Sequence, residues 1–366
     1  MNATRTGLRE SLRVIGAITA KDMLDAIKDA KILVVLLSAL VVVVLYKTMP
    51  SWLDADLPPR LALYDAGNSN LVAQLEQSTE FDLLLMSSQA EMERYVGDQT
   101  KVVQGLVLPA GFDQAVESSD PLELDGYVDH WVSDAAADES RSFFEEQLTE
   151  LTGKPVQIRL ESDTVYTHPY GGQTVMVAFV LVFVLVILGL TLTPNLMIDE
   201  KEARTMEALL VSPASAGQVV IAKALAGLFY SLVAAAVVLA VFATTIAHWE
   251  VAILAVLSGS LLGVALGLLL GTVISVRQQL ILWSSVLMVP LFLPVMLSVI
   301  LADIQAPASV RTLVDLIPTV ALSKVVRLAV AAEAPWTEVG PALALVAGCA
   351  TLLLVVVAWL VRRSDR

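Results

Sequence analysis

The sequence predicts an α-helical polytopic membrane protein. It has six transmembrane helices, both termini in the cytoplasm, and an α/β extracytoplasmic domain between helices one and two. Three observations carry that expectation. Hydrophobic residues make up 56% of the 366-residue chain, and mean hydropathy is +0.73, both high for a domain that must face water on all sides. Six apolar runs reach the ~20 residues that a hydrocarbon core requires: 32–49, 174–197, 224–247, 251–274, 279–301 and 339–361. The stretch 50–173 between the first two runs is polar and alternates strand-like with helix-like segments.

Residues 1–31 precede the first run. Leu8, Leu12, Ile15 and Ile18 fall near one face, with Arg9, Arg13, Lys21 and Lys28 mostly elsewhere. This pattern predicts an interfacial helix on the cytoplasmic leaflet. Ten charged residues stand in this stretch, so no cleavable signal peptide is expected and 32–49 is read as a retained anchor. In that run only Ile32 to Tyr46 is uninterrupted, and Lys47 snorkels to the interface.

Orientation follows from the bases. The segments 1–31, 198–223, 275–279 and 362–366 hold 13 of the 23 Lys and Arg residues. The far longer segments 50–173 and 303–338 hold 9. The bias places both termini inside.

Residues 50–173 carry 23 acids against 6 bases, a net charge of −17, so the rest of the chain is +3. Such an acidic outer domain disfavours nucleic-acid partners and reads foremost as a solvated surface. Within it, strand-like segments at Arg60–Tyr64, Phe81–Met86, Val102–Leu108, Leu122–His130 and Val156–Val165 alternate with helical ones near 70–77, 89–97, 112–117 and 134–151. A small α/β domain follows. His130 and His168 lie far apart and no metal-ligand spacing is present, so no metal site and no catalytic set are expected.

The segment 198–223 is charged and helix-favouring between two apolar runs. Glu200 and Arg204 stand at i,i+4 with the acid first. Ala203, Met206 and Leu210 share a face, and Pro213 closes the helix. The expected element is a short amphipathic helix that presents charge to a partner at the membrane surface.

These residues also carry a resemblance. Glu200-Lys201-Glu202, Arg204-Thr205-Met206-Glu207, Leu209-Leu210, Ser212-Pro213 and the later Lys223 resemble the signature of type-2 ABC (ABC-2) exporter permeases, closest to a NatB-like branch. Many members carry Gly where this chain has Arg204, while an Arg-Thr pair is familiar in the NatB-like branch. The turn from Gly105 to Phe112 is also similar to the outer domain of that branch. The resemblance implies that 198–218 is a cytoplasmic coupling helix docking on a separate ATPase, with Glu200, Lys201, Glu202, Arg204, Thr205, Met206, Glu207, Leu210 and Pro213 as contact residues. It further implies a homodimer or heterodimer of permeases, with ATP and magnesium held on the ATPase. The chain itself has no Gly-x-x-x-x-Gly-Lys-Ser/Thr loop, so the permease is expected to be non-catalytic and without a cofactor.

The remaining spans, within 219–361, are notable for lacking charge. Between Lys223 and Asp303 only Glu250 and Arg277 are charged, both in turns, which disfavours an ion-coupled carrier. Gly259, Gly263, Gly267 and Gly271 form a small-residue ladder suited to close helix packing, within the subunit or at a dimer seam. Pro290 and Pro294 predict kinks, either structural or serving gating. Residues 303–338 are too short and polar to cross. They predict outer-leaflet helices with a Pro318 start, Ala321, Val325 and Leu328 on one face and Lys324 and Arg327 on another.

Two other classes stay in view. A receptor or sensor fits an outer domain on membrane helices, but no cytoplasmic segment exceeds about thirty residues, leaving only signalling through a bound partner. An intramembrane enzyme lacks any catalytic pair or His-Glu-x-x-His motif in the spans. The expected location is the plasma membrane, with the lipid bilayer as solvent for the spans.

Overall fold

The computed structural model describes residues 2–28, 37, 41, 44–45, 58–99, 101–118, 121–130, 132–160, 172–202, 216–303 and 307–364. Most of the expected span 32–49 therefore lies outside the described residues. Five described helices are long and apolar enough to cross a membrane.

Residues 60–160 form a five-stranded mixed sheet with its helices. The strands are β1 (Arg60–Asp65), β2 (Asp82–Met86), β3 (Val103–Leu108), β4 (Leu122–Tyr127) and β5 (Val156–Leu160), in the order β2-β1-β3-β4-β5. β1 runs parallel to β2 and β3, β3 is antiparallel to β4, and β4 is parallel to β5. The helices are α2 (Asn70–Leu75), α3 (Gln89–Gly97), α4 (Phe112–Ser118) and α5 (Asp134–Thr152). Side chains alternate across each strand. Leu61, Leu63, Leu106, Leu108, Leu122 and Leu124 point to the face covered by α2, α4 and α5, where Phe144 and Leu148 complete the core. Ala62, Val103 and Tyr127 point to the other face, under Met92 and Val96 of α3.

Helix starts follow from side-chain caps. Ser69, Ser88 and Ser133 each accept a backbone N–H of the first turn of α2, α3 and α5, and Gly153 ends α5 at φ 69°. β1 begins, and β4 and β5 end, at the same edge of the sheet, so both chain connections to the apolar helices leave from that end. The loops after β1 and β3 sit at the opposite end.

The membrane body is built around α6 (Gly172–Glu202), whose apolar window is 67% buried. Around it stand α7 (Ala216–Val241), α8 (Trp249–Val273), α9 (Arg277–Asp303), α10 (Ala308–Asp315), α11 (Pro318–Val330) and α12 (Trp336–Ser364). The glycine ladder of α8 faces α6 inside one subunit. A Cβ on Gly267 would lie 2.0 Å from the Gly189 carbonyl oxygen, and one on Gly263 2.6 Å from that of Leu185. Gly271 meets Met197 and Pro194, and Gly259 meets Leu185 and Leu322. Absent side chains at these positions let the two backbones touch.

Proline in α6 introduces a local problem that a neighbouring helix solves. Pro194 inside α6 has no N–H for the Leu190 carbonyl, and Ser284 of α9 donates its hydroxyl to that oxygen at 2.9 Å. In α9, Phe292 sits between Pro290 and Pro294 and packs edge-on or tilted against Phe179 and Phe183 of α6. Beside it, Thr319 of α11 donates to the Leu291 carbonyl at 2.7 Å.

Two expectations of side-chain placement change. Arg327, expected on one face with Lys324 and apart from Ala321, Val325 and Leu328, is enclosed in the body as they are. It is 2% exposed, with a guanidinium N–H 3.4 Å from the Ser298 hydroxyl, because α11 is packed among α6, α8, α9 and α12. Lys324 instead pairs with Glu338 at 2.8 Å. On α1 (Asn2–Lys28), Leu12 is exposed and the packed face runs through Ser11, Val14, Ile15, Ile18, Thr19, Asp22 and Met23.

Candidate functional site: the α6 terminus and its α1–α7 buttress

α6 continues without a break from the apolar window to Glu202, so Glu200, Lys201 and Glu202 occupy its last turn. Arg204, Thr205, Met206, Glu207, Leu210 and Pro213 lie outside the described residues. The helix end beneath the acidic turn is firmly seated. Ile198 is fully buried with Ile274 and Leu280, at the end of α8 and the start of α9. Just above it, Asn195 donates to the Thr191 carbonyl at 2.7 Å, and Arg277 donates to the Asn195 side-chain oxygen at 3.2 Å. Arg277 thus ties the short turn between α8 and α9 to the same end of α6.

The chain resumes at α7, and α1 lies along it. Gln218 donates to Ser11 at 2.9 Å, the Thr19 hydroxyl lies 3.4 Å from the Ala222 carbonyl, and Tyr230 donates to the Met23 carbonyl. The order of these contacts shows the two helices running in the same direction for about a dozen residues. At the centre, the Lys223 ammonium meets the Asp22 carboxylate at 2.9 Å, with side chains 2% and 4% exposed. Lys223 belongs to the sequence signature above, yet it does not present charge outward. It neutralises Asp22, and α7 can therefore start at Ala216, with its apolar window from Gly217, earlier than the expected 224.

Chemically, this is an anchoring arrangement. Among the described residues no group of three or more His, Cys, Asp or Glu could hold a metal ion. The lone cysteine, Cys349, is a free, half-buried thiol in α12. At the far end of the α/β domain, the Asp113 carboxylate accepts Ser69 Oγ at 2.6 Å and Asn70 Nδ2 at 2.8 Å. Those bonds, with the Asn70 backbone N–H, hold its carboxyl below the usual carboxylate range. They lock the loops after β1 and β3 against each other.

Residues 31–360 match the family model described as ABC-2 family transporter protein. The chain belongs to the ABC-2 transporter family. No curated protein matches it. Family membership and five apolar helices make this a multi-pass membrane protein and the membrane domain of an ABC transporter, a permease of a kind that normally works with an ABC ATPase subunit.

Sequence reasoning singled out Glu200–Glu202, Lys223 and the glycine ladder, which the structure places at the end of α6, on Asp22 and against α6. It missed Asp22, Ser11, Gln218 and Asn195, whose signal is polar side chains inside otherwise apolar faces. That signal is visible in Asp22 four residues from Ile18 but has no partner until the fold supplies one.

Proposed function

We propose that the chain is the membrane-spanning subunit of an ATP-driven exporter, moving substrate outward by alternating access. Two permeases, identical or different, enclose the path, and a separate ATPase supplies the energy. The permease is not itself an enzyme and holds no cofactor. Both termini face the cytoplasm of a plasma-membrane protein with six spans, and the α/β domain faces outside. The segment 198–218, which joins the end of α6 to the start of α7, carries the coupling contacts, as in the NatB-like branch.

The observation that supports this reading best is the family match over 31–360. The seating of the α6 end fits it, since force applied at Glu200–Glu202 reaches α8 and α9 through Ile198 and Asn195. α1, clamped along α7, would move with it.

The test is uncoupling. In proteoliposomes containing permease and ATPase, Glu202→Ala and Glu207→Ala should leave the permease inserted but abolish transport-linked ATP hydrolysis. Unchanged coupled hydrolysis in both variants would remove 198–218 from the mechanism.

A further inference from the structure

The β4–α5 connection, Val128 to Ser133, holds a buried carboxylate beside an imidazole at the sheet end from which the chain leaves for the membrane helices. Val128 is fully buried and Asp129 is 2% exposed. His130 Nδ1 lies 2.8 Å from Asp129 Oδ1, and His130 Nε2 lies 3.1 Å from the backbone carbonyl oxygen of Thr245. Thr245 belongs to the short 3-10 turn Ala243–Thr245 between α7 and α8. The imidazole is thus a physical contact between the α/β domain and the membrane body, bridging 115 residues of sequence.

Both of those partners are acceptors. A carboxylate and a carbonyl oxygen can be satisfied together only if both ring nitrogens carry a proton, which is the imidazolium form. A neutral ring has one N–H and must release one of the two. The described residues beside the ring are tied down. Val132 N–H donates to the Asp129 carbonyl, and Ser133 caps α5, so the ring is presented at a fixed position.

The receiving turn is equally well tied. The amides of Ala247 and His248 both donate to the Ala329 carbonyl, at 3.0 and 2.8 Å, at the end of α11. His248 Nε2 lies 3.1 Å from the Ala332 carbonyl oxygen. Through these bonds, a change at His130 reaches α11, which is wedged among α6, α8, α9 and α12.

We propose that His130 is a proton-dependent latch holding the α/β domain onto the α7–α8 turn, closed when the ring is protonated and loosened when it is neutral. Asp129 faces the ring from its own connection. On the membrane side the neighbouring titratable groups are His248 and Glu250, whose side chains lie 3.8 Å apart. A ring that loses one of its two protons keeps one bond and gives up the other. That the latch senses the outer medium rests on the reading that the α/β domain is extracytoplasmic. The latch itself does not depend on it.

The experiment is amide hydrogen exchange of residues 242–248 in the intact protein reconstituted in bilayers, corrected for the intrinsic pH dependence of exchange. Between about pH 5.5 and pH 8, protection of the Ala247 and His248 amides should fall by about tenfold or more, the worth of one charge-assisted bond. His130→Gln keeps a donor but gains no charge, and should give a profile flat with pH. A wild-type profile flat across that range would overturn the latch without any variant being needed. A His130→Gln profile that tracks the wild type would assign the pH dependence elsewhere and overturn it too. In sealed vesicles of known orientation, a response to outer pH alone matches an outer domain. A response to inner pH alone would keep the latch and refute the topology.

Discussion

Replacing Lys223 by Met tests whether α1 is mechanically joined to α7. The ion pair is 2.9 Å long with both side chains almost fully buried, 2% and 4% exposed, so solvent screening is slight. Removing one partner from such a site leaves an uncompensated buried charge and costs about 3–5 kcal/mol. Replacing both with apolar residues of similar volume is about neutral, or stabilising by ~1–4 kcal/mol. Lys223→Met and Asp22→Leu should therefore each loosen α1, while the double variant should hold it. Trypsin provides the assay, because Arg13 and Lys21 lie on the exposed side of α1. When opening is fast relative to cleavage, cleavage tracks the open population, so 3 kcal/mol corresponds to a gain of roughly two orders of magnitude. Two results would refute the reasoning: single variants cleaved like the wild type, or a double variant cleaved as fast as the singles.

Three further outcomes are expected. Ser284→Ala should lower thermal stability in detergent by about 1 kcal/mol, because the Leu190 carbonyl loses its donor. In a Pro194→Ala background, where residue 194 regains its N–H, the same change should cost close to nothing. Gly267→Leu should prevent accumulation of folded protein, since its Cβ alone meets the Gly189 carbonyl at 2.0 Å, whereas Gly340→Ala and Gly348→Ala, with nothing within 4 Å, should be silent in the same expression assay. Because the fold holds the Asp113 carboxyl below its usual range, the stability it contributes is present above the unfolded carboxylate range, about pH 4, and is lost as acid protonates it. Denaturation of the protein followed by exchange of α2 should show that loss below about pH 4 in the wild type and not in Asp113→Asn.

The sheet was legible in the sequence because strand periodicity is local. Leu61 and Leu63 against Ala62 declare two buried faces, and Pro109 with Gly111 ends β3 where the chain must turn. The five described apolar helices were legible by length and hydropathy alone. The alternation predicts β4 as far as His130, three residues past its end, because Val128-Asp129-His130 continues the pattern while leaving the sheet. What the sequence did not disclose are pairings that only tertiary structure makes. Asp22 and Lys223 are 201 residues apart, and each alone looks like an ordinary interfacial charge. Arg327 looks like a surface residue three positions from Lys324, but burial of α11 encloses it. Leu12 lies off the face of α1 that packs on α7, a face that carries the polar Ser11, Thr19 and Asp22 beside Ile15 and Ile18. Of the proposed coupling segment 198–218, the sequence supplies the motif, and the structure describes Ile198–Glu202 at the end of α6 and Ala216–Gln218 at the start of α7.

The most direct test of the account is purification of the intact protein from its native membrane in mild detergent, with identification of whatever soluble chain comes with it. The account predicts a stoichiometric ATP-binding polypeptide whose association is lost when Glu202 and Glu207 are both replaced by Ala. A permease that purifies without any ATPase, or with a signalling protein in its place, would contradict it.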